Sequence, residues 1–376
     1  MTTHSAPSPR ARFGHHFLIG LQPTVDLDDA DKRLLAALQP AGIIVFRGNF
    51  LADAPYEEWL ARFAGLLQAA REHIGREQIL VGIDHEGATV LRPPPPVTSF
   101  AFARQFAPQA ADVGRAMGVE LASLGINLNF APVLDIDSNP DNPVIGPRAF
   151  GITPEEVTAA AGPFLSAMQR EGVLACPKHF PGHGDTRTDS HHELPALDLD
   201  LDALLARELR PWAALLSSEV KLVMTAHIMF PRLDGERPST MSPAIVAGLL
   251  RGHLGYQGAV VTDDIGMHAV SQRFEQPEAT IETLRSGTDL IMVCQHWTRT
   301  ERALDFAAHI ERAAARGELP DDLLQRSSDR ITQLLHAATT HQPRVLPAET
   351  FARHATLAPL RPRSARAAGQ TVSLKE

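Results

Sequence analysis

One short stretch of the chain concentrates the residue types that do chemistry. It runs Lys178-His179-Phe180-Pro181-Gly182-His183-Gly184-Asp185-Thr186, then Asp189-Ser190-His191-His192 and Leu194-Pro195. No regular helix or strand suits that mixture, because Gly182 and Gly184 permit unusual backbone angles and Pro181 stops a strand from continuing. Just upstream, Val173-Leu174-Ala175-Cys176 follows Gly172 as a short apolar run, the pattern of a buried strand. The cluster is therefore expected on a loop launched from a strand end, where a rigid scaffold carries chemistry. Within it Asp189 and His191 lie two apart. A histidine whose second nitrogen is held by a carboxylate has a fixed tautomer and a tuned pKa. Such a pair can protonate a leaving oxygen and then deprotonate water. A hydrated loop with incidental charges fits the spacing equally well.

Other polar residues also close apolar runs. Asp263 ends Ala259-Val260-Val261-Thr262 and is followed by Asp264. A carboxylate at such a strand end can attack an anomeric carbon and hold a covalent sugar. For Asp264, capping the next helix or simple solvation carries at least as much weight. Asp84 ends Ile79 to Ile83; it can accept hydrogen bonds from sugar hydroxyls to which Arg92 and Arg148 could donate. A capping Asp and surface arginines fit the spacing slightly better. His227 closes a further run, and a satisfied core histidine outweighs a site residue there. His179, His183, Asp185, Asp189, His191 and His192 could together supply a zinc site. No helical His-Glu-x-x-His is present, however, and Lys178 beside the cluster would repel a cation. No metal and no cofactor is therefore expected.

These residues need a frame to bring them together. Apolar runs near Phe17, Gly42, Ile79, Ile126, Val173, Lys221, Ala259 and Leu290 alternate with helical stretches, including Tyr56 to Ile74, Pro154 to Glu171 and Leu204 to Ser217. Thr153 and Glu156 stand at capping-box spacing. Eight strand-helix units over roughly 280 residues match a TIM-type (β/α)8 barrel. A doubly wound open sheet is the competing fold. The barrel is preferred because it converges Asp84, Asp135, Lys178, His179, His227 and Asp263 on one face, whereas an open sheet spreads them along a line. A single catalytic domain is expected over 13–340, with a flexible arm over 1–12. Residues 341–376 read as a C-terminal extension, mobile or strapped over the barrel.

Composition bounds the partners. The chain has 376 residues, 44% of them hydrophobic, and a net charge of -9, which lacks the electrostatic footprint of nucleic-acid binding. No segment reaches membrane-spanning length. Phe17 to Leu21 is too short for a signal-peptide core. The only two cysteines, Cys176 and Cys294, suit a reducing compartment. A cytoplasmic monomer acting on a small substrate is the expectation.

The motifs resemble those of the bacterial β-N-acetylglucosaminidases of glycoside hydrolase family 3. Lys-His-Phe-Pro-Gly-His-Gly at 178–184, followed by Asp189-Ser190-His191 and Leu194-Pro195, carries the likeness. Asp84-x-Glu86-Gly87, Ala131-Pro132-Val133-Leu134-Asp135, Ile145-Gly146-x-Arg148-x-Phe150 and Val261-Thr262-Asp263-Asp264-Ile265-x-Met267 extend it over about 13–335. The resemblance implies that Asp263 is the nucleophile and that His191 is the general acid/base, with Asp189 as its partner. It implies that Asp84, Arg92, Arg148, Lys178 and His179 bind the hydroxyls of an N-acetylglucosamine ring. It further implies a cytoplasmic enzyme that removes non-reducing terminal β-linked N-acetylglucosamine from muropeptides. One turn departs from the family pattern Asp-Gln-Glu-Gly-Gly-Arg-Val-Gln-Arg: here it reads Asp84-His85-Glu86-Gly87-Ala88-Thr89-Val90-Leu91-Arg92. Rival readings are a β-glucosidase or a phosphorylase on the same barrel, and an inactive binder of cell-wall fragments.

Overall fold

The computed structural model describes residues 11–190, 193–216, 219–294 and 300–357. Eight parallel strands form its centre: β1 (Phe17–Gly20), β2 (Gly42–Ile44), β3 (Leu80–Ile83), β4 (Leu128–Asn129), β5 (Leu174–Ala175), β6 (Leu222–Thr225), β7 (Ala259–Asp264) and β8 (Leu290–Val293). Their order is β5-β4-β3-β2-β1-β8-β7-β6, with Leu18 level with Gly42, Gly42 with Leu80, Leu128 with Leu174, and Ala259 with Leu222. The gap between β5 and β6 is spanned by the segment after β5. Phe180 N–H donates to the Met224 carbonyl at 2.9 Å, Ala226 N–H donates to the Phe180 carbonyl at 2.8 Å, and Met224 N–H donates to Pro177 at 3.0 Å. The sheet is thereby closed into a (β/α)8 barrel, the fold expected from the alternation.

The strand side chains alternate between two cores, as strand geometry requires. Leu18, Ile44, Leu80, Leu128, Leu174, Met224, Val261 and Met292 fill the interior. Ile19, Ile43, Val81, Val223, Val260 and Ile291 pack outward beneath the helices. A strand buried on both faces must be apolar throughout, and this is why the runs read as unbroken. The fourth and fifth strands are shorter than their apolar runs. Pro132 and Pro177 lack the N–H that a ladder needs, and beyond β4 the pairing shrinks to a bridge between Val133 and Lys178.

The outer layer comprises α1 (Asp29–Leu38), α2 (Tyr56–Ile74), α3 (Ala110–Ser123), α4 (Pro154–Arg170), α5 (Leu201–Ala206), α6 (Leu209–Leu215), α7 (Ala244–His253, a wide π-type helix), α8 (Glu278–Arg285), α9 (Arg302–Ala315) and α10 (Asp321–Ala337). At α4 the Thr153 side chain accepts from Glu156 N–H, but Glu156 reaches back to Ile152 N–H at 2.7 Å rather than to Thr153. The single helix expected over Leu204 to Ser217 is broken into α5 and α6 at Arg207 and Glu208.

Beyond α10 the chain stays packed on the barrel through residue 357. The Ala338 carbonyl accepts from the Gln78 side chain at 2.9 Å and Thr339 from Asn127 at 3.1 Å. Arg344 N–H donates to Ser123 at 2.9 Å. Helix α11 (Ala348–Ala355) sets Phe351 edge-on to Tyr56 at 5.4 Å and His354 Nδ1 2.7 Å from Glu120 Oε1. Glu120 is fully buried, and Thr98 donates to it through both its hydroxyl and its N–H. The extension is thus linked through Glu120 to the loop that follows Arg92.

Candidate active site

The carboxyl ends of the strands carry the polar cluster. Asp84 follows β3, and a tight hairpin of His85–Gly87 against Val90–Leu91 returns the chain so that Arg92 faces it. Arg92 Nη2 lies 3.4 Å from Asp84 Oδ2. Lys178, just past β5, sits between two carboxylates, 3.0 Å from Asp84 Oδ1 and 2.7 Å from Glu86 Oε1. Arg148, on the single turn Gly146–Arg148, closes on Glu86 with its whole fork: Nε to Oε2 and Nη2 to Oε1 are both 2.8 Å. Four of the five residues expected to bind hydroxyls therefore form one chain of ion pairs, Arg92–Asp84–Lys178–Glu86–Arg148, with Lys178 as its middle link and Glu86 as the fifth member.

The electrostatics are balanced within the cluster. Burial would raise the Glu86 carboxyl, but Arg148 and then Lys178 hold it well below the usual range. Burial likewise opposes Asp84, and Lys178 followed by Arg92 depress it. Burial works against the charge on Lys178, yet Asp84 and Glu86 outweigh it and hold the ammonium at about 12. All these groups stay ionised at neutral pH, and such buried charges persist only because each is paired.

His179 is set from another direction. Its Nδ1 is 2.6 Å from Asp135 Oδ2, while Asp135 Oδ1 accepts from the N–H groups of His179 and His183. One buried carboxylate thus fixes an imidazole and the loop that follows it. His183 has both ring nitrogens engaged, 2.9 Å from Thr186 Oγ1 and 3.0 Å from Ser190 Oγ, and burial pushes it down to about 4, so it is neutral. Asp185 is taken by Arg207 and Ser138. Among the described residues no group of three or more His, Cys, Asp or Glu side chains is placed to hold a metal ion.

Asn142 ties the two loops together. Its amide donates to the carbonyls of His183 and Gly184 at 2.9 and 3.0 Å, and its oxygen accepts from Val144 and Ile145 N–H, at the start of the turn that bears Arg148. The loops approach so closely that a Cβ on Gly184 would lie 1.6 Å from the Ile136 carbonyl oxygen.

Asp263 and Asp264 end β7 in different surroundings. Asp264 is buried, and its Oδ1 accepts from Gly266 N–H at 3.0 Å and Cys294 N–H at 3.2 Å, so it holds the strand-end turn rather than capping a helix. Asp263 is half-buried, and its Oδ1 accepts from Asp264 N–H at 2.8 Å. His227 is a core histidine, 2.9 Å from Thr240 Oγ1 and 3.1 Å from the Asp264 carbonyl. Burial raises the Cys176 thiol in the barrel interior; Lys178 pulls it down and Asp263 and Asp84 add to the rise. Asp189 is described, with its carbonyl accepting from Glu193 N–H at 3.0 Å. His191 and His192 lie outside the described residues. Asp135 is placed by the sequence on the same face but given no role, and Glu86 and Asn142 are not singled out as site residues; for Glu86 the available signal is its place two residues after Asp84, which puts both side chains on one face of an extended segment.

Residues 20–334 match the model of the glycosyl hydrolase family 3 N-terminal domain. The chain belongs to glycosyl hydrolase family 3. As a family 3 chain it is a glycoside hydrolase. It is 36% identical over 327 residues to beta-hexosaminidase A of Pseudoalteromonas piscicida, covering 81% of this chain and 54% of that protein, so it spans about half the length of that relative. It is 35% identical over 340 residues to beta-hexosaminidase LpqI of Mycobacterium tuberculosis, covering 87% and 82% of the two chains. The solved family 3 beta-N-acetylglucosaminidase from Paenibacillus sp. superposes with a TM-score of 0.81 at 33% identity, over 94% of this chain and 69% of that one.

Proposed function

We propose that this family 3 chain is a retaining exo-β-N-acetylglucosaminidase acting on non-reducing terminal β-linked N-acetylglucosamine, with muropeptides derived from peptidoglycan as the aglycone class. The observation that carries the reading is the position of Asp263, a half-buried carboxylate ending β7 at the same face as the paired cluster of Asp84, Arg92, Lys178 and Arg148. Relatives named beta-hexosaminidase and beta-N-acetylglucosaminidase support the 2-acetamido sugar.

In the first step Asp263 attacks the anomeric carbon while His191, oriented by Asp189, gives its proton to the departing glycosidic oxygen. The C–O bond to the aglycone breaks as the bond to Asp263 forms. In the second step neutral His191 takes a proton from water, the hydroxide adds to the anomeric carbon, and Asp263 departs as a carboxylate. Two displacements preserve the β configuration. Asp84, Lys178, Arg92, Arg148 and His179 bind the ring hydroxyls, and the pairing already present makes them a preorganised surface. Cys176 and Cys294, free and buried, support a reducing, cytoplasmic location.

The test is turnover of 4-nitrophenyl N-acetyl-β-glucosaminide beside the β-glucoside, with and without phosphate, following the product anomer by NMR. Release from the first alone, giving the β-anomer and unchanged by phosphate, is the expected result. Preference for the glucoside removes the 2-acetamido assignment, and a sugar phosphate makes the enzyme a phosphorylase. No turnover of either substrate leaves a binder.

A further inference from the structure

The break between α5 and α6 turns two consecutive charged side chains toward the loop that follows β5. Arg207 leaves the helical path with φ -131 and ψ -74. Its Nη2 donates to Asp185 Oδ2 at 2.8 Å, and its Nε donates to Glu208 Oε1 at 2.5 Å. Ser138 holds the other oxygen of Asp185 at 3.1 Å. Glu208 itself is buried, and its Oε2 has no hydrogen-bond partner among the described residues. That same oxygen lies 3.0 Å from where a Cβ on Gly182 would be, with Glu208 Cβ at 3.1 Å, so a side chain at 182 would have to push Glu208 aside. One turn further on, Trp212 packs edge-on against Phe180 at 5.2 Å. The start of α6 therefore supports the loop at Phe180, Gly182 and Asp185. None of these contacts is used by the displacement steps above.

A carboxylate is a costly choice for that support. Burial pushes Glu208 up to about 7; Arg207 pulls against it, and Asp185 and Asp135, the other charged groups that face it, add to the rise. A structural job alone is usually done as well by an uncharged residue. What the charge adds is a grip on the Arg207 guanidinium, and through Arg207 on Asp185.

We propose that Glu208 is a positioning residue for the general acid/base: through Arg207 and Gly182 it fixes the root of the loop 182–190, which carries Asp189 and leads on to His191. The proposal rests on the reading of His191 as acid/base. It assigns Glu208 no contact with substrate.

Leaving-group dependence tests it. A 2,4-dinitrophenyl N-acetyl-β-glucosaminide needs no proton to depart, whereas the phenyl glycoside does. In Glu208→Gln, kcat/KM for the phenyl substrate is expected to fall about tenfold or more, while that for the dinitrophenyl substrate changes less than about twofold, because only the first draws on general acid catalysis. Arg207→Gln, at a half-exposed position, should show the same split and serves if Glu208→Gln does not fold. Equal losses on both substrates, or no loss on either, would overturn the positioning role while leaving the glycosidase reading intact. A wild-type protein inactive on both substrates would overturn that reading and this proposal with it.

Discussion

Arg148 closes on Glu86 through two hydrogen bonds of 2.8 Å, side chain to side chain across sixty-two residues of sequence. Lys178 adds a third contact to the same carboxylate. Glu86 thus neutralises two buried cations, Arg148 and Lys178. Replacing it by Gln leaves two buried cations short of a partner. Glu86→Gln is expected to cost about 3 kcal/mol of stability and about 100-fold or more in kcat/KM. Asp84, more exposed than Glu86, should separate these effects: Asp84→Asn should lower kcat/KM with a much smaller change in the urea midpoint. Paired kinetics and denaturation of the two variants check the distinction.

The nucleophile can be tested by chemistry as well as by loss. Asp263→Gly should reduce turnover by about 10⁴-fold or more. Added azide can then occupy the space of the missing carboxylate and attack from the same side. The expected product is the α-glycosyl azide, identified by NMR. A β-azide, or undiminished hydrolysis in the variant, would remove Asp263 from its role.

Ala88 adopts φ +46, a left-handed conformation, at the turn where the family pattern has a second glycine. An L-residue there pays about 1–2 kcal/mol, of which roughly half is offset because glycine frees the unfolded chain. Ala88→Gly should therefore raise stability by about 0.5 kcal/mol, read as an upward shift of the urea midpoint with an unchanged slope. A lower midpoint would mean that the Ala88 methyl makes packing contacts worth more than the strain.

Three buried groups with opposed signs contribute to stability against pH, beside His15 and Asp31, which are shifted by burial in the same two directions. His85 and His183 are both lowered to about 4 by burial. Their contribution is present above the unfolded value near 6.5 and is lost as pH falls through 4, at most about 3 kcal/mol each. Glu208 is raised to about 7. Its contribution is complete below the unfolded value near 4.5 and is lost as pH rises through 7, again at most about 3 kcal/mol. Between pH 7 and 4 the histidines outweigh the glutamate, so the protein should lose stability on acidification. Glu208→Gln removes the opposing contribution. It should be more stable than wild type at pH 8, with the difference vanishing as pH falls below the unfolded value near 4.5, as followed by denaturant titration from pH 4 to 8.

His354 of α11 joins Glu120, which holds Thr98. His354→Ala should cost about 1–2 kcal/mol through the lost hydrogen bond to the buried Glu120. Because Thr98 lies on the segment that follows Arg92, KM should rise more than kcat falls. Steady-state kinetics with a thermal melt provide the check.

Where the sequence was legible, one physical signal sufficed. Apolar runs such as Leu290 to Val293 read as strands buried on both faces, and their polar terminators, Asp84, Lys178 and Asp263, favour a closed barrel that gathers them at one end over an open sheet that spreads them along a line. The illegible parts depend on partners distant in the chain. Glu86 acquires its role from Arg148 and Lys178, Asp135 from His179, and Asn142 from backbone carbonyls on another loop. Helical periodicity runs through Arg207 and Glu208 without interruption, since the interruption comes from Asp185. The extent of β4 and β5 was overread because apolar character persists where Pro132 and Pro177 have already removed the donors.

The seam of the barrel has a consequence for how the fold can vary. Residues 177–180 both complete the ring between β5 and β6 and carry Lys178 and His179. Inserting a single residue there would swap inward and outward side chains and withdraw the only peptide groups that bridge the gap among the described residues. The buried polar cluster and circular closure are thus one object, and changes of length that diversify an enzyme family must accumulate elsewhere on the rim.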